Sequence, residues 1–145
     1  MKDKLLSKQG WVILLICIIS FFINNRVVVP DIMEARNMVT AREMVHDGNW
    51  LVPTMNGDLR LEKPPLPTWL TAVAEMISPD NLALQRAMAG FAAILLVAFF
   101  YLTAVQVMRN KRYAFISTIL LCTCYNIILM GRTACLLYTS DAADE

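Results

Sequence analysis

PDIMEARNMVTAREMVHDGNWLVPTMNGDLRLEKPPLPTW, from Pro30 to Trp69, is the one long polar stretch in the chain, and apolar runs lie on both sides of it. It concentrates the carboxylates Asp31, Glu34, Glu43, Asp47, Asp58 and Glu62 with the cations Arg36, Arg42, Arg60 and Lys63. A plain connector between membrane helices needs no such density of charge, tryptophan and proline. The stretch therefore reads as a chemical centre that the flanking helices hold at a membrane surface.

Composition sets the solvent. The chain has 145 residues, is 57% hydrophobic and 17% charged, and carries a formal net charge of +1. Soluble domains average about 45–50% apolar residues, and here the surplus is gathered into blocks, which indicates an integral membrane protein. Near-neutral charge leaves no basic face for a nucleic acid. Cys17, Cys122 and Cys124 lie inside apolar runs as small hydrophobes. Neither a disulfide framework nor a metal site is indicated.

Outward from the loop, residues 1–10 are a basic cytoplasmic N-terminus with Lys2, Lys4 and Lys8. Residues 11–29 reach the roughly 20 needed for a first span, and no small-residue cleavage site follows. Ala87–Val107 and Tyr113–Gly131 read as a second and a third span. Residues 108–112, with Arg109, Lys111 and Arg112, form a basic loop between them. The two basic clusters share a side under the positive-inside rule, which puts residues 30–86 outside. Within that loop, Asp31–His46 has helical spacing, with Asp31 and Glu34 in a capping-box pattern and Asp47-Gly48 as the stop. Asn56-Gly57 is a turn signal. Lys63 precedes Pro64-Pro65 and so sits on extended backbone. Leu66–Ser78 is a second amphipathic helix, too short to span, and Trp50 and Trp69 read as interfacial anchors. The expected class is all-α, about three transmembrane helices with a long external loop bearing two juxtamembrane helices.

The C-terminal run Cys135–Glu145 has a different origin. TGT CTC TTA TAC ACA TCT GAC GCT GCC GAC, a transposase mosaic end with its primer extension, translates in frame to Cys135–Asp144. The run is expected to be translated sequencing adapter and is set aside as a scar. The natural gene is expected to continue past about Ala134.

The motifs Glu34-Ala35-Arg36-Asn37, Ala41-Arg42-Glu43-Met44, Gly48-Asn49-Trp50-Leu51-Val52-Pro53, Asn56-Gly57 and Leu61-Glu62-Lys63-Pro64-Pro65-Leu66 are specific as a set. Together they resemble the polyprenyl-phosphate-sugar-dependent glycosyltransferases of the GT-C fold. The nearest groups are the aminoarabinose (lipid A) transferases and the protein mannosyltransferases. The similarity runs over roughly residues 10–134 and implies the N-terminal part of such an enzyme, inactive by itself. It implies sugar transfer from a polyprenyl-phosphate donor to a lipid, protein or glycan acceptor outside a bacterial inner membrane. No cofactor is required by this resemblance; a divalent cation stays open, with no ligand cluster in the sequence to support it.

The resemblance also implies an acidic general base in this loop and a donor-phosphate ligand at Lys63. The family places an aspartate directly before the glutamate of Glu-x-Arg; Met33 stands there in this chain, and Asp31 lies two residues earlier. Asp31 and Glu34, three apart on a helix, share a face, so both are candidate catalytic carboxylates, with Asp31 preferred. Glu62, Arg36 and Arg60 are candidate substrate contacts beside Lys63. For each the bland alternative is a solvated or capping charge, and Glu62 could equally pair with Lys63 or ligate a cation. Arg132 ends a span, where a headgroup contact and a site role are equally open. A competing class is a non-enzymatic membrane module such as a transporter segment or assembly subunit. The second and third spans carry no ionisable group of the kind that marks a transport pathway.

Overall fold

The computed structural model describes residues 2–25, 27, 29–61 and 64–133, with side chains described from Lys8 onward. Glu62 and Lys63, and the run Cys135–Glu145, lie outside the described residues. The described chain is mostly helical and falls into two layers.

The first layer is apolar. Helix α1 (Lys2–Phe22) packs with α4 (Leu82–Met108), α5 (Lys111–Cys122) and α6 (Tyr125–Arg132). Their shared core is Ile13, Cys17, Phe21, Val97, Tyr101, Ala104, Ala114 and Cys122. Large apolar side chains also point outward, among them Leu15, Ile18, Leu95, Phe99, Ile116 and Leu120. Water would penalise such a belt by about 25 cal/mol per Å² of apolar surface, whereas hydrocarbon does not. Helix α4 is long and apolar enough to cross a membrane by itself. Helices α5 and α6 meet at a 60° bend and meet the same test only when taken together.

Two boundaries differ from the sequence reading. The expected first span runs through Val29, but α1 stops at Phe22. Asn24 takes a left-handed φ of 59°, a conformation that asparagine tolerates and the branched valines beyond it do not. The expected third span, Tyr113–Gly131, is broken at Thr123-Cys124. Thr123 hydrogen-bonds back to Ile119, and Cys124 starts a new helix with extended backbone. Residues 87–107 fall inside α4, which begins earlier, with Asn81 accepting from the Leu84 N–H at its start.

The second layer is the polar stretch. Helix α2 (Ile32–Asp47) ends on Gly48, whose φ of 75° suits glycine at this stop. Strands β1 (Thr54–Met55) and β2 (Asp58–Leu59) pair antiparallel, with Thr54 opposite Leu59. Asn56 and Gly57 turn between them at φ 56° and 83°, as a two-residue hairpin requires. The hairpin qualifies the all-α expectation by four residues. Glu43 of α2 holds it, one carboxylate oxygen accepting from the Asn56 N–H at 2.5 Å. Helix α3 (Pro65–Ile77) begins at its prolines, where a missing N–H is harmless.

Helices α2 and α3 bury Ala41, Met44 and Ala72 against Trp50 and Trp69. Trp69 donates its indole N–H to the Trp50 carbonyl at 2.7 Å, so the tryptophans expected as membrane anchors knit this layer together. Between the same helices the Thr68 hydroxyl donates to Asn37 Oδ1 at 2.9 Å. Asn37 Nδ2 in turn donates to Thr71 Oγ1 at 3.1 Å. At the α3–α4 corner, buried Glu75 accepts from Gln85 Nε2 at 2.5 Å and from the Asp80 N–H. Arg42 pairs with Asp80 alongside it.

The crossing of α6 over α1 depends on Gly131. A Cβ there would lie 2.6 Å from Cδ1 of Phe21, whose ring is fully buried and has nowhere to move. Gly131→Ala should therefore destabilise the helical layer by about 1–3 kcal/mol through overpacking. Thermal unfolding in detergent measures this, and an unchanged midpoint would mean that the crossing is looser than described.

Candidate functional site

Where the two layers meet, the end of α1, the start of α2, the start of α4 and all of α6 enclose an open cavity of about 310 Å³. Asp31, Glu34, Arg86, Arg132, Asn25 and Tyr125 line it. The sequence supplies each from a helix end: Asp31 is the residue before α2, Arg86 lies in the second turn of α4, and Arg132 closes α6.

The capping box expected of Asp31 and Glu34 does not form. Asp31 has extended backbone (φ −72°, ψ 161°) and makes no side-chain cap. Glu34 instead turns inward to Arg86. The Arg86 Nε donates to one Glu34 carboxylate oxygen and Nη2 to the other, both at 2.7 Å. Arg86 Nη1 donates to the Asn25 carbonyl at 2.5 Å. Glu34 and Arg86 are each 2% exposed. A desolvated pair survives only when its geometry is good and its remaining polar atoms are satisfied, and the fork-to-fork arrangement meets that condition.

The two candidate carboxylates thus have different fates. Glu34 is committed to a buried cation. Asp31 is exposed at the cavity mouth, and its carboxylate has no hydrogen-bond partner among the described residues. Across the cavity, Arg132 donates Nη2 to the Ile23 carbonyl at 2.6 Å. That bond uses one of the five N–H groups of a guanidinium.

The other candidates are elsewhere. Arg36 is solvent-exposed on α2. Arg60 is nearly buried, its Nη1 donating to Thr40 Oγ1 at 2.8 Å and its backbone N–H to the Pro53 carbonyl. Neither lines the cavity. Glu62 and Lys63 are not described. Among the described residues no group of three or more His, Cys, Asp or Glu side chains could hold a metal ion.

Sequence reading missed Arg86 and Asn25. Arg86 was visible as the last charge before twenty-two uncharged residues, Ala87–Met108, a position where burial demands an acidic partner. Nothing marked Asn25, whose part is played by a backbone carbonyl.

No family model matches the chain. Several curated proteins do. The undecaprenyl phosphate-alpha-4-amino-4-deoxy-L-arabinose arabinosyl transferase of Pseudomonas savastanoi pv. phaseolicola is 34% identical over 92 residues, covering 63% of this chain and 17% of that protein. Its namesake in Shewanella sediminis is 35% identical over 88 residues, covering 61% and 16%. Several of the curated relatives carry this aminoarabinose transferase name. A third, from Proteus mirabilis, is 29% identical over 112 residues, covering 77% of this chain and 20% of its own length. The chain therefore spans about a sixth to a fifth of these transferases, and the resemblance read from the loop motifs holds. No solved structure matches.

If Glu34 is structural and Asp31 is not, the two should separate by stability. Glu34→Gln strands Arg86 in the interior and should cost about 3–5 kcal/mol, whereas Asp31→Asn should change stability by less than about 0.5 kcal/mol. Unfolding of the purified variants in detergent measures both. Equal effects would contradict the division.

Proposed function

We propose that this chain forms part of a membrane glycosyltransferase that moves a sugar from a polyprenyl-phosphate carrier to an acceptor outside a bacterial inner membrane. The supporting observation is the cavity that Asp31, whose carboxylate has no partner among the described residues, lines together with Arg86 and Arg132, in a chain several of whose curated relatives are named as undecaprenyl phosphate-aminoarabinose arabinosyl transferases. Residues 1–10 lie in the cytoplasm and residues 30–86 outside.

Transfer from such a donor makes two demands. The acceptor oxygen must lose its proton as it attacks the anomeric carbon, and the departing lipid phosphate must be met by positive charge. Asp31 takes the proton: it faces the cavity and has no competing partner among the described residues. Glu34 cannot do so without releasing Arg86, so it acts as the brace that fixes the start of α2 and thereby aims Asp31. Lys63, beside the rigid Pro64-Pro65, meets the phosphate, with Glu62 adjusting its charge. Arg36 and Arg60 lie away from the cavity and contact parts of the substrate that extend beyond it, Arg36 from the solvent side of α2; Arg60 also ties the residue after β2 to Thr40. The acceptor is a lipid, protein or glycan. No cofactor is required for this chemistry.

The test places this chain in the matching stretch of a full-length aminoarabinose transferase and follows label from the polyprenyl-phosphate sugar to acceptor. Asp31→Asn should lower turnover by about 10²–10⁴-fold, the worth of a positioned base, with the amount of protein in the membrane unchanged. Undiminished turnover in that variant would remove Asp31 from the chemistry.

A further inference from the structure

Outside the cavity, one pair of nucleophilic side chains stands apart. Cys17 of α1 and Cys122, the last residue of α5, bring their sulfurs to 3.7 Å although 105 positions separate them. They are 1% and 0% exposed. A disulfide needs about 2.05 Å between sulfurs, so closing the bond asks for a shift of under about 2 Å. The third described cysteine, Cys124, is two residues away and exposed.

One member of the pair borders open space, and Cys122 sits behind it. Cys17 lines a second cavity, of about 370 Å³, between α1 and α4. Its other walls include Ile13, Leu14, Val97, Ala98 and Leu102. The volume falls within the range of small-molecule sites, and the walls are almost wholly apolar, which admits an uncharged reagent dissolved in lipid and rejects a charged one from water.

Its position gives the pair leverage. Cys122 stands immediately before the Thr123-Cys124 break. The arm beyond that break, α6, carries Tyr125, Ile128, Leu129 and Arg132 into the wall of the first cavity. The chain leaving α1 supplies Ile23, which accepts from Arg132, and Asn25, which accepts from Arg86. A bond between Cys17 and Cys122 would tie both walls together below the site.

We propose that Cys17 and Cys122 form a modification site, a dithiol that a lipid-soluble quinone entering the apolar cavity closes to a disulfide, fastening α1 to the α5–α6 bend. The step balances: the two thiols lose two protons and two electrons, the sulfur–sulfur bond forms, and the quinone leaves as its hydroquinone. The inference rests on the membrane placement of these helices but not on the transferase reading, so failure of Asp31 in the transfer assay would leave it standing.

Membranes containing the chain, treated with tetramethyl-p-benzoquinone, are denatured in excess alkylating agent, digested without reduction and analysed by mass spectrometry. A peptide pair joining Cys17 to Cys122, lighter by two hydrogens than the separate thiols, is expected, with Cys124 alkylated. Filling the cavity with Ala98→Phe should slow closure at least tenfold while hydrogen peroxide, a far smaller uncharged oxidant that leaves as water, still closes the pair. Cys17 and Cys122 both recovered alkylated, or either joined to Cys124, would overturn the proposal. Closure of the Ala98→Phe variant at the unaltered rate would overturn the apolar route.

Discussion

The ion pair between Glu34 and Arg86 is the contact on which the arrangement depends. It joins the polar layer to the apolar one at the place where the chain leaves α1, enters α2 and begins α4. Two charges brought out of water are expensive, and only a fully satisfied geometry offsets that cost. Here two parallel N–H donors meet two carboxylate oxygens, and a third donor meets the Asn25 carbonyl. The pair fixes the position of the two layers more than it adds net stability. Without it, among the described residues, α2 would be held to the apolar layer mainly through α3 and the turn at Glu75.

This fixed junction divides the labour between two carboxylates three residues apart. Glu34 is withdrawn into the structure; Asp31, one turn earlier, stays at the cavity mouth. Arg132 lines the same cavity as Asp31, held by the Ile23 carbonyl and by the close approach of Gly131 to Phe21. The proposed transfer would need a carboxylate and nearby cations held in one orientation, and buried contacts around an open cavity are a direct way to hold them.

Much of this was legible in the chain. The Asn56-Gly57 hairpin, the Gly48 stop, the helix opening at its prolines and the long apolar helix over residues 87–107 follow from local rules and are found within a few residues of where those rules place them. The motif set around Trp50 and Glu62-Lys63-Pro64-Pro65 also led to the same transferases that are the chain's curated relatives. What was not legible depends on contacts across the sequence. Whether Glu34 caps its own helix or reaches Arg86, 52 residues away, is decided by tertiary packing. The end of α1 at Phe22 and the bend at Thr123-Cys124 were hidden because continuous apolar runs cover both; hydropathy measures the solvent a segment prefers and says little about its backbone direction.

A double-mutant cycle on Glu34 and Arg86, with Glu34→Gln, Arg86→Met and the two combined, tests the central claim most directly through the unfolding free energy in detergent. Strong coupling is expected, with the double variant more stable than the sum of the single losses by about 2–3 kcal/mol. Losses that simply add, within about 0.5 kcal/mol, would show that the two layers are held together by something other than this pair.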